Sequence, residues 1–177
     1  PQGVIHSAQV LAAEAFGAEQ TWFLINGSSC GIVAAILATC KPGEKIILPR
    51  NIHRSVVSGL ILSGAVPVFI APEYNPSEDL IYSITPSALA KTLAVNRDAR
   101  AVMVVYPTYQ GICGDIEALI RITHAYNLPF LVDEAHGAHL AFHPDLPPSA
   151  LSLGADLSVQ STHKVLGSLS QASMVHL

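Results

Sequence analysis

Three consecutive stretches decide the fold: Ala101-Val102-Met103-Val104-Val105, then residues 115–126, then Phe130-Leu131-Val132-Asp133-Glu134-Ala135-His136. The first and last begin as short, almost continuously apolar runs, the pattern of strands buried on both faces of a parallel sheet. Between them Asp115 can cap a helix whose Ile116, Leu119, Ile120 and Thr123 recur at helical spacing. This is a strand–helix–strand unit, and such crossovers are right-handed in nearly all proteins. The theme repeats along the chain. Apolar runs at 22–25, 45–48, 66–70 and 157–159 read as further strands, and 29–39, 54–62, 85–96 and 148–153 as helices. Thr85 and Pro86 form a ready helix start, a cap followed by a residue whose missing N–H is no loss there. The alternation predicts an α/β protein, a three-layer αβα arrangement around a mostly parallel sheet. Residues 71–83 are the one long polar connection and read as a surface loop.

Composition narrows the classes of function. Half of the 177 residues are hydrophobic and only 12% are charged, which excludes a disordered chain. A soluble domain carries roughly 25% charged residues, so part of the apolar surface is expected to be covered by a partner subunit or by further chain. Nine Lys and Arg against thirteen Asp and Glu give a net charge of -4, with no basic field for nucleic acid and no polybasic patch for a membrane. The longest apolar run, 31–40, falls short of the roughly 18 residues that span a bilayer. The chain opens on Pro1 without a signal-peptide pattern and reads as a piece of a longer protein. Cys30, Cys40 and Cys113 lie far apart and read as buried small hydrophobes in a reducing compartment.

Ligands of open α/β sheets bind at the carboxyl ends of the strands. The five segments that follow strands here are all polar: 26–29, 51–54, 106–111, 133–136 and 160–164. Asn26-Gly27-Ser28-Ser29 enters a helix, where free N–H groups and two hydroxyls suit a phosphate, although an ordinary Gly/Ser cap has the same sequence. It is no Walker A loop, since no Lys follows the glycines, and so Asp133-Glu134-Ala135-His136 is not a helicase box. A buried carboxylate such as Asp133 needs a cationic partner, for which a protonated cofactor ring nitrogen would serve; a helix-capping Asp is the plainer alternative. His136, His139 and His143 lack a further ligand at metal-site spacing, so no metal is expected. Lys164 follows an apolar strand end, where desolvation would favour the neutral amine that forms Schiff bases; a snorkelling surface lysine is the alternative. His53 reads either as a loop histidine or as a flat ring that stacks on a flat cofactor.

Together these pieces resemble the fold-type I enzymes dependent on pyridoxal 5'-phosphate. The chain is most similar to the ornithine/lysine/arginine decarboxylase family. Ser161-Thr162-His163-Lys164 running on to Leu169-Ser170-Gln171-Ala172-Ser173 is similar to that family's cofactor-lysine segment. The segments at 26–29, 51–55, 108–111 and 133–139 match in order. The resemblance covers the whole chain and implies that residues 1–177 are the large domain of the aspartate-aminotransferase-like fold, incomplete at its carboxy-terminal end and without the small domain. It implies a role for each matching position. Lys164 bonds to the cofactor aldehyde. Asp133 pairs with the pyridine nitrogen, and His53 and Ala135 cover opposite ring faces. Ser28, Ser29, Ser161 and His163 hold the phosphate. His136 lies near the ring hydroxyl, and Thr108 is in a matching loop. Arg54 stands where many relatives have Lys. The implied reaction is decarboxylation of arginine, lysine or ornithine to a polyamine precursor and carbon dioxide, in a cytoplasmic homodimer or larger homo-oligomer. Two other readings stay open: an α-oxoamine synthase-like acyltransferase, whose lysine segment usually differs from His163-Lys164-Val165-Leu166-Gly167, and a non-catalytic partner chain.

Overall fold

The computed structural model describes residues 3–177. Nine strands and six α-helices follow one another among them: α1 (Val4–Phe16), β1 (Thr21–Leu24), α2 (Gly27–Thr39), β2 (Lys45–Pro49), α3 (Arg54–Ser63), β3 (Val66–Ile70), β4 (Tyr74–Asn75), β5 (Leu80–Ile81), α4 (Pro86–Val95), β6 (Ala99–Val105), α5 (Ile116–His124), β7 (Phe130–Asp133), β8 (Leu157–Gln160), α6 (Thr162–Val165) and β9 (Ser173–His176). Seven strands form one sheet in the order β1-β9-β8-β7-β6-β2-β3. The neighbours from β8 to β3 pair in parallel, and only β9 runs against its neighbours β8 and β1. The carboxyl ends of all the other strands of this sheet therefore share one edge.

Alternation within the central strands builds a core on each face. From β6, Ala101 and Met103 face α2 and α3, whereas Val102 and Val104 face α4 and α5. Leu131 of β7 joins the first group, Phe130 and Val132 the second. Burying each such side chain contributes about 1.5–3 kcal/mol, which is why these runs carry no polar residue until the strand ends. Thr85 caps α4 by accepting from the Ala88 N–H at 3.1 Å, and Asp115 caps α5 by accepting from the Ala118 N–H at 3.1 Å. Gly31 lets α2 lie close on the sheet: a Cβ there would sit 2.6 Å from Leu24 Cδ1 and 2.7 Å from Val159 Cγ1.

The structure departs from the sequence expectations in a few places. Helix α1 is not expected from the sequence, because its apolar residues form no single stripe; Val4, Ile5 and Leu11 are exposed and only Ala13 and Phe16 are buried. Strand β9 is not expected either, because Ser173 and His176, at its two ends, are polar and yet buried. The helix expected over 148–153 is one 3-10 turn, Leu151–Leu153, ended by Gly154 at φ 94°. The loop 71–83 contains the hairpin β4–β5. Strands β1 and β3 form the sheet edges, so Trp22, Phe23, Val66 and Phe69 are exposed rather than covered on both faces.

Candidate active site

The five polar segments meet at the shared carboxyl edge. They line a cavity of about 260 Å³ with Ser28 after β1, His53 after β2, Thr108 after β6, Asp133, Ala135 and His136 at the end of β7, and Lys164 after β8. Ile81 of the β4–β5 hairpin closes one side. Ser29, Ser161 and His163 do not line the cavity. Ser29 is exposed in the first turn of α2. Ser161, fully buried, donates its hydroxyl to Ser28 Oγ at 2.7 Å and so stands behind it. His163 donates from Nδ1 to the Ala172 carbonyl at 2.9 Å, which folds the segment after Lys164 back on itself and leaves Nε2 as the free ring nitrogen.

Each lining group is set by its local structure. Gly27 opens α2 at φ 73°, a backbone conformation that favours glycine, and the Asn26 side chain caps none of the first-turn N–H groups. His53 is the cap of α3: its Nδ1 accepts from the Ser55 N–H at 3.2 Å and meets Ser55 Oγ at 2.8 Å, which fixes the ring. Thr108 is buried, and its hydroxyl accepts from the Ile112 N–H at 3.1 Å, closing the turn that presents Tyr109. His136 packs edge-on against the Tyr109 ring, centroids 5.4 Å apart, and its Nε2 lies 3.3 Å from Lys164 Nζ. Burial first, then the charges of Lys164 and His53, hold the His136 imidazole below its ordinary pKa. The neutral ring then accepts a hydrogen bond from the Lys164 amine at Nε2.

Asp133 is the buried acid of the cavity, 4% exposed, and Oδ1 accepts from the Ala135 N–H at 3.2 Å. Burial pushes its carboxyl up; the Ala135 N–H and then the charges of Lys164 and His53 pull the other way. Among the described residues no Lys, Arg or His nitrogen forms a salt bridge with it. Lys164 differs from expectation in one respect. It is exposed, not desolvated, because α6 is a single surface turn and nothing in the described chain covers it.

A buried polar row behind the site goes beyond what the sequence reading found. Glu134, fully buried, accepts at Oε1 from the Ala150 N–H (2.8 Å) and at Oε2 from the Ser158 hydroxyl (2.6 Å) and Gln160 Nε2 (2.9 Å). Gln160 Oε1 accepts in turn from His176 Nε2 at 3.1 Å, and His176 Nδ1 accepts from the Thr21 hydroxyl at 2.8 Å. Burial lowers the His176 imidazole to about 4, so the ring is neutral and every donor in the row points toward Glu134. Polar residues inside otherwise apolar strands (Ser158, Gln160, His176) are the signal for it. Ile81 could have been found from 74–81, where a Pro-Ser turn sits between aromatic and aliphatic residues.

The cavity suits pyridoxal 5'-phosphate. A buried carboxylate with bonding capacity to spare suits a ring nitrogen, an amine at the rim suits an aldehyde, and open N–H groups at a helix start with the Ser28 hydroxyl suit a phosphate. Asn51, which also lines the cavity, has a buried Oδ1 without a hydrogen-bond partner, a place for a further polar contact.

The central sheet flanked by helices is the fold of the fold-type I pyridoxal-phosphate enzymes. Lysine decarboxylase A from Pseudomonas aeruginosa superposes with a TM-score of 0.81 at 29% identity, over 99% of this chain and 26% of that one. The constitutive lysine decarboxylase of Escherichia coli does so at 0.79 and 25%, over 98% of this chain and 27% of its own. Residues 1–177 match the family described as Orn/Lys/Arg decarboxylase, major domain, and the chain belongs to that family. Arginine decarboxylase of Bacillus cereus is 45% identical over the whole chain, and the lysine decarboxylase LdcA of Pseudomonas aeruginosa 32% identical over 99% of it. The chain spans 38% and 26% of the lengths of these two relatives.

Proposed function

We propose that the protein carrying this chain decarboxylates a basic amino acid with pyridoxal 5'-phosphate, releasing carbon dioxide and the amine that serves as a polyamine precursor. The observation that carries the reading is the convergence of Lys164, Asp133 and His53, from three different strand ends, on one cavity in a chain of this family. Bound there, the cofactor supplies an electron sink for the pair left when the carbon–carboxylate bond breaks. Lys164 would hold the cofactor through its amine. Asp133 holds a proton on the ring nitrogen, and its burial strengthens that pairing. His53 and Ala135 would cover the ring faces, and Ser28 with the first turn of α2 would hold the phosphate, Ser161 supporting Ser28 from behind while Ser29 and His163 stand outside the cavity wall. Lys164 and His53 are the groups here able to return a proton to the substrate α-carbon. Asp133 is the one carboxylate among the cavity residues, so the acid that reads the distal cation of the substrate comes from chain outside 1–177 or from a second subunit.

Four relatives named arginine decarboxylase are 44–46% identical, against 32% for a lysine, 29% for an ornithine and 27% for a biodegradative arginine enzyme; the first group puts arginine first among the substrates to assay. A homodimer or larger assembly in the cytoplasm accompanies this reading. Ile25, Leu169 and Tyr109, 95%, 88% and 82% exposed, are the kind of residues an assembly would cover. The full-length protein is loaded with cofactor, reduced with borohydride and mapped by peptide, and is assayed for carbon dioxide from the three amino acids. The pyridoxyl label is expected on Lys164. A label elsewhere, or no carbon dioxide from any substrate, overturns the reading.

A further inference from the structure

Successive side chains of extended backbone point to opposite sides. At the end of β7 this sends Asp133 and Ala135 into the cavity and Glu134 the other way, into the core, where it is fully buried. Three main-chain bonds hold this turn. The Asp133 carbonyl accepts from the Tyr106 N–H at 3.0 Å, the Glu134 N–H donates to the Val159 carbonyl at 2.9 Å, and the Glu134 carbonyl accepts from the Gly137 N–H at 2.9 Å. The Glu134 carboxylate adds three donors from two other segments, β8 and the start of the 3-10 turn. Gly137 makes room for it, since a Cβ there would lie 2.6 Å from Glu134 Cγ and 2.8 Å from Pro107 Cδ.

We propose that Glu134 is a positioning residue for the cofactor site: anchored on Ser158, Gln160 and the Ala150 N–H, it fixes the turn and thereby aims Asp133 and seats Ala135. A carboxylate suits the place because all three neighbours are donors, so an acceptor-only group satisfies every bond. It is buried without a cationic partner among the described residues, a costly arrangement for a residue that only fills space. The row through Gln160 and His176 to Thr21 extends the anchor across β8 and β9 to β1. The proposal rests on the reading that Asp133 and Ala135 face the cofactor.

Pyridoxal 5'-phosphate is titrated into the cofactor-free full-length protein, into Glu134→Gln, and into Glu134→Gln with Gln160→Glu. Far-UV circular dichroism and melting temperature report the fold. In the double variant the carboxylate moves across the hydrogen bond. It then accepts both from the new amide at position 134 and from His176 Nε2, so the row closes again. Glu134→Gln is expected to keep the native circular dichroism and melting temperature. It should bind the cofactor about 10–100-fold more weakly, the size of effect typical of outer groups that orient a site, and shift the pH midpoint of the bound cofactor's visible band. The double variant is expected to recover most of the affinity. Unchanged affinity and midpoint in Glu134→Gln overturn the proposal, as does weakening in step with lost melting temperature, or a double variant no better than the single. If Glu134→Gln does not fold, Ser158→Ala, which keeps the carboxylate and removes one donor, decides: weaker binding at native melting temperature supports the proposal, and native binding overturns it. Failure of the cofactor reading is distinct, because the native protein itself then takes up no pyridoxal phosphate.

Discussion

Acid should loosen this fold through His176. Its ring is fully buried between the Phe16 ring, 4.9 Å away, and the polar row, and burial lowers the imidazole from 6.5 to about 4. In the unfolded chain the same ring protonates near 6.5. Above that pH both states hold the ring neutral, and the stability it contributes is fully present. As pH falls through 6.5 the unfolded state takes up a proton that the folded state refuses, so stability is lost until the folded ring titrates near 4. A difference of that size, at about 1.4 kcal/mol per pH unit, removes about 2 kcal/mol by pH 5 and about 3 kcal/mol by pH 4. Asp133 and Glu134 act in the opposite sense, because burial raises both and their folded forms take up protons first on acidification. The comparison that isolates His176 is therefore with His176→Gln, whose amide keeps one donor for Gln160 and one acceptor for Thr21 at every pH. Urea unfolding at pH 7 and pH 4.5 should show the native protein losing about 2–3 kcal/mol more than the variant. Equal losses would mean that the ring is charged, or wet, in the folded protein.

Other expectations follow from single contacts. Asp133→Ala removes the buried partner of a ring cation and should weaken pyridoxal phosphate binding by about 3–5 kcal/mol, read by equilibrium titration; affinity within a few-fold of native would place the ring nitrogen elsewhere. Gly31→Ala drives a methyl group into Leu24 and Val159 and should lower stability by about 1–3 kcal/mol in urea unfolding, whereas a neutral result would mean that α2 can lift off the sheet. Thr85→Ala removes the α4 cap and should destabilise by about 1 kcal/mol, with Thr85→Ser restoring most of it in the same measurement.

What the sequence determined is periodic or local. The apolar runs at 45–48, 101–105 and 130–132 mark strands because burial on both faces leaves little place for a polar residue. Thr85 and Asp115 mark helix starts because their side chains bond N–H groups three residues away. The polar segments after those strands mark the site, since parallel strands bring their carboxyl ends to one edge. Tertiary structure decided the rest. Strand β9 is hidden in the sequence because His176 is buried among partners more than ten residues away, Gln160 and Thr21, and Ser173 lies opposite Leu24 of β1. Helix α1 holds its place through Phe16 against Phe142 and His176, contacts that no local pattern encodes. Within one tetrapeptide, sequence names Asp133 and Glu134 alike as acids. Only the fold makes one a wall of the cavity and the other an anchor in the core, because neighbouring side chains on a strand must face opposite ways, and what stands on each side is set by other strands.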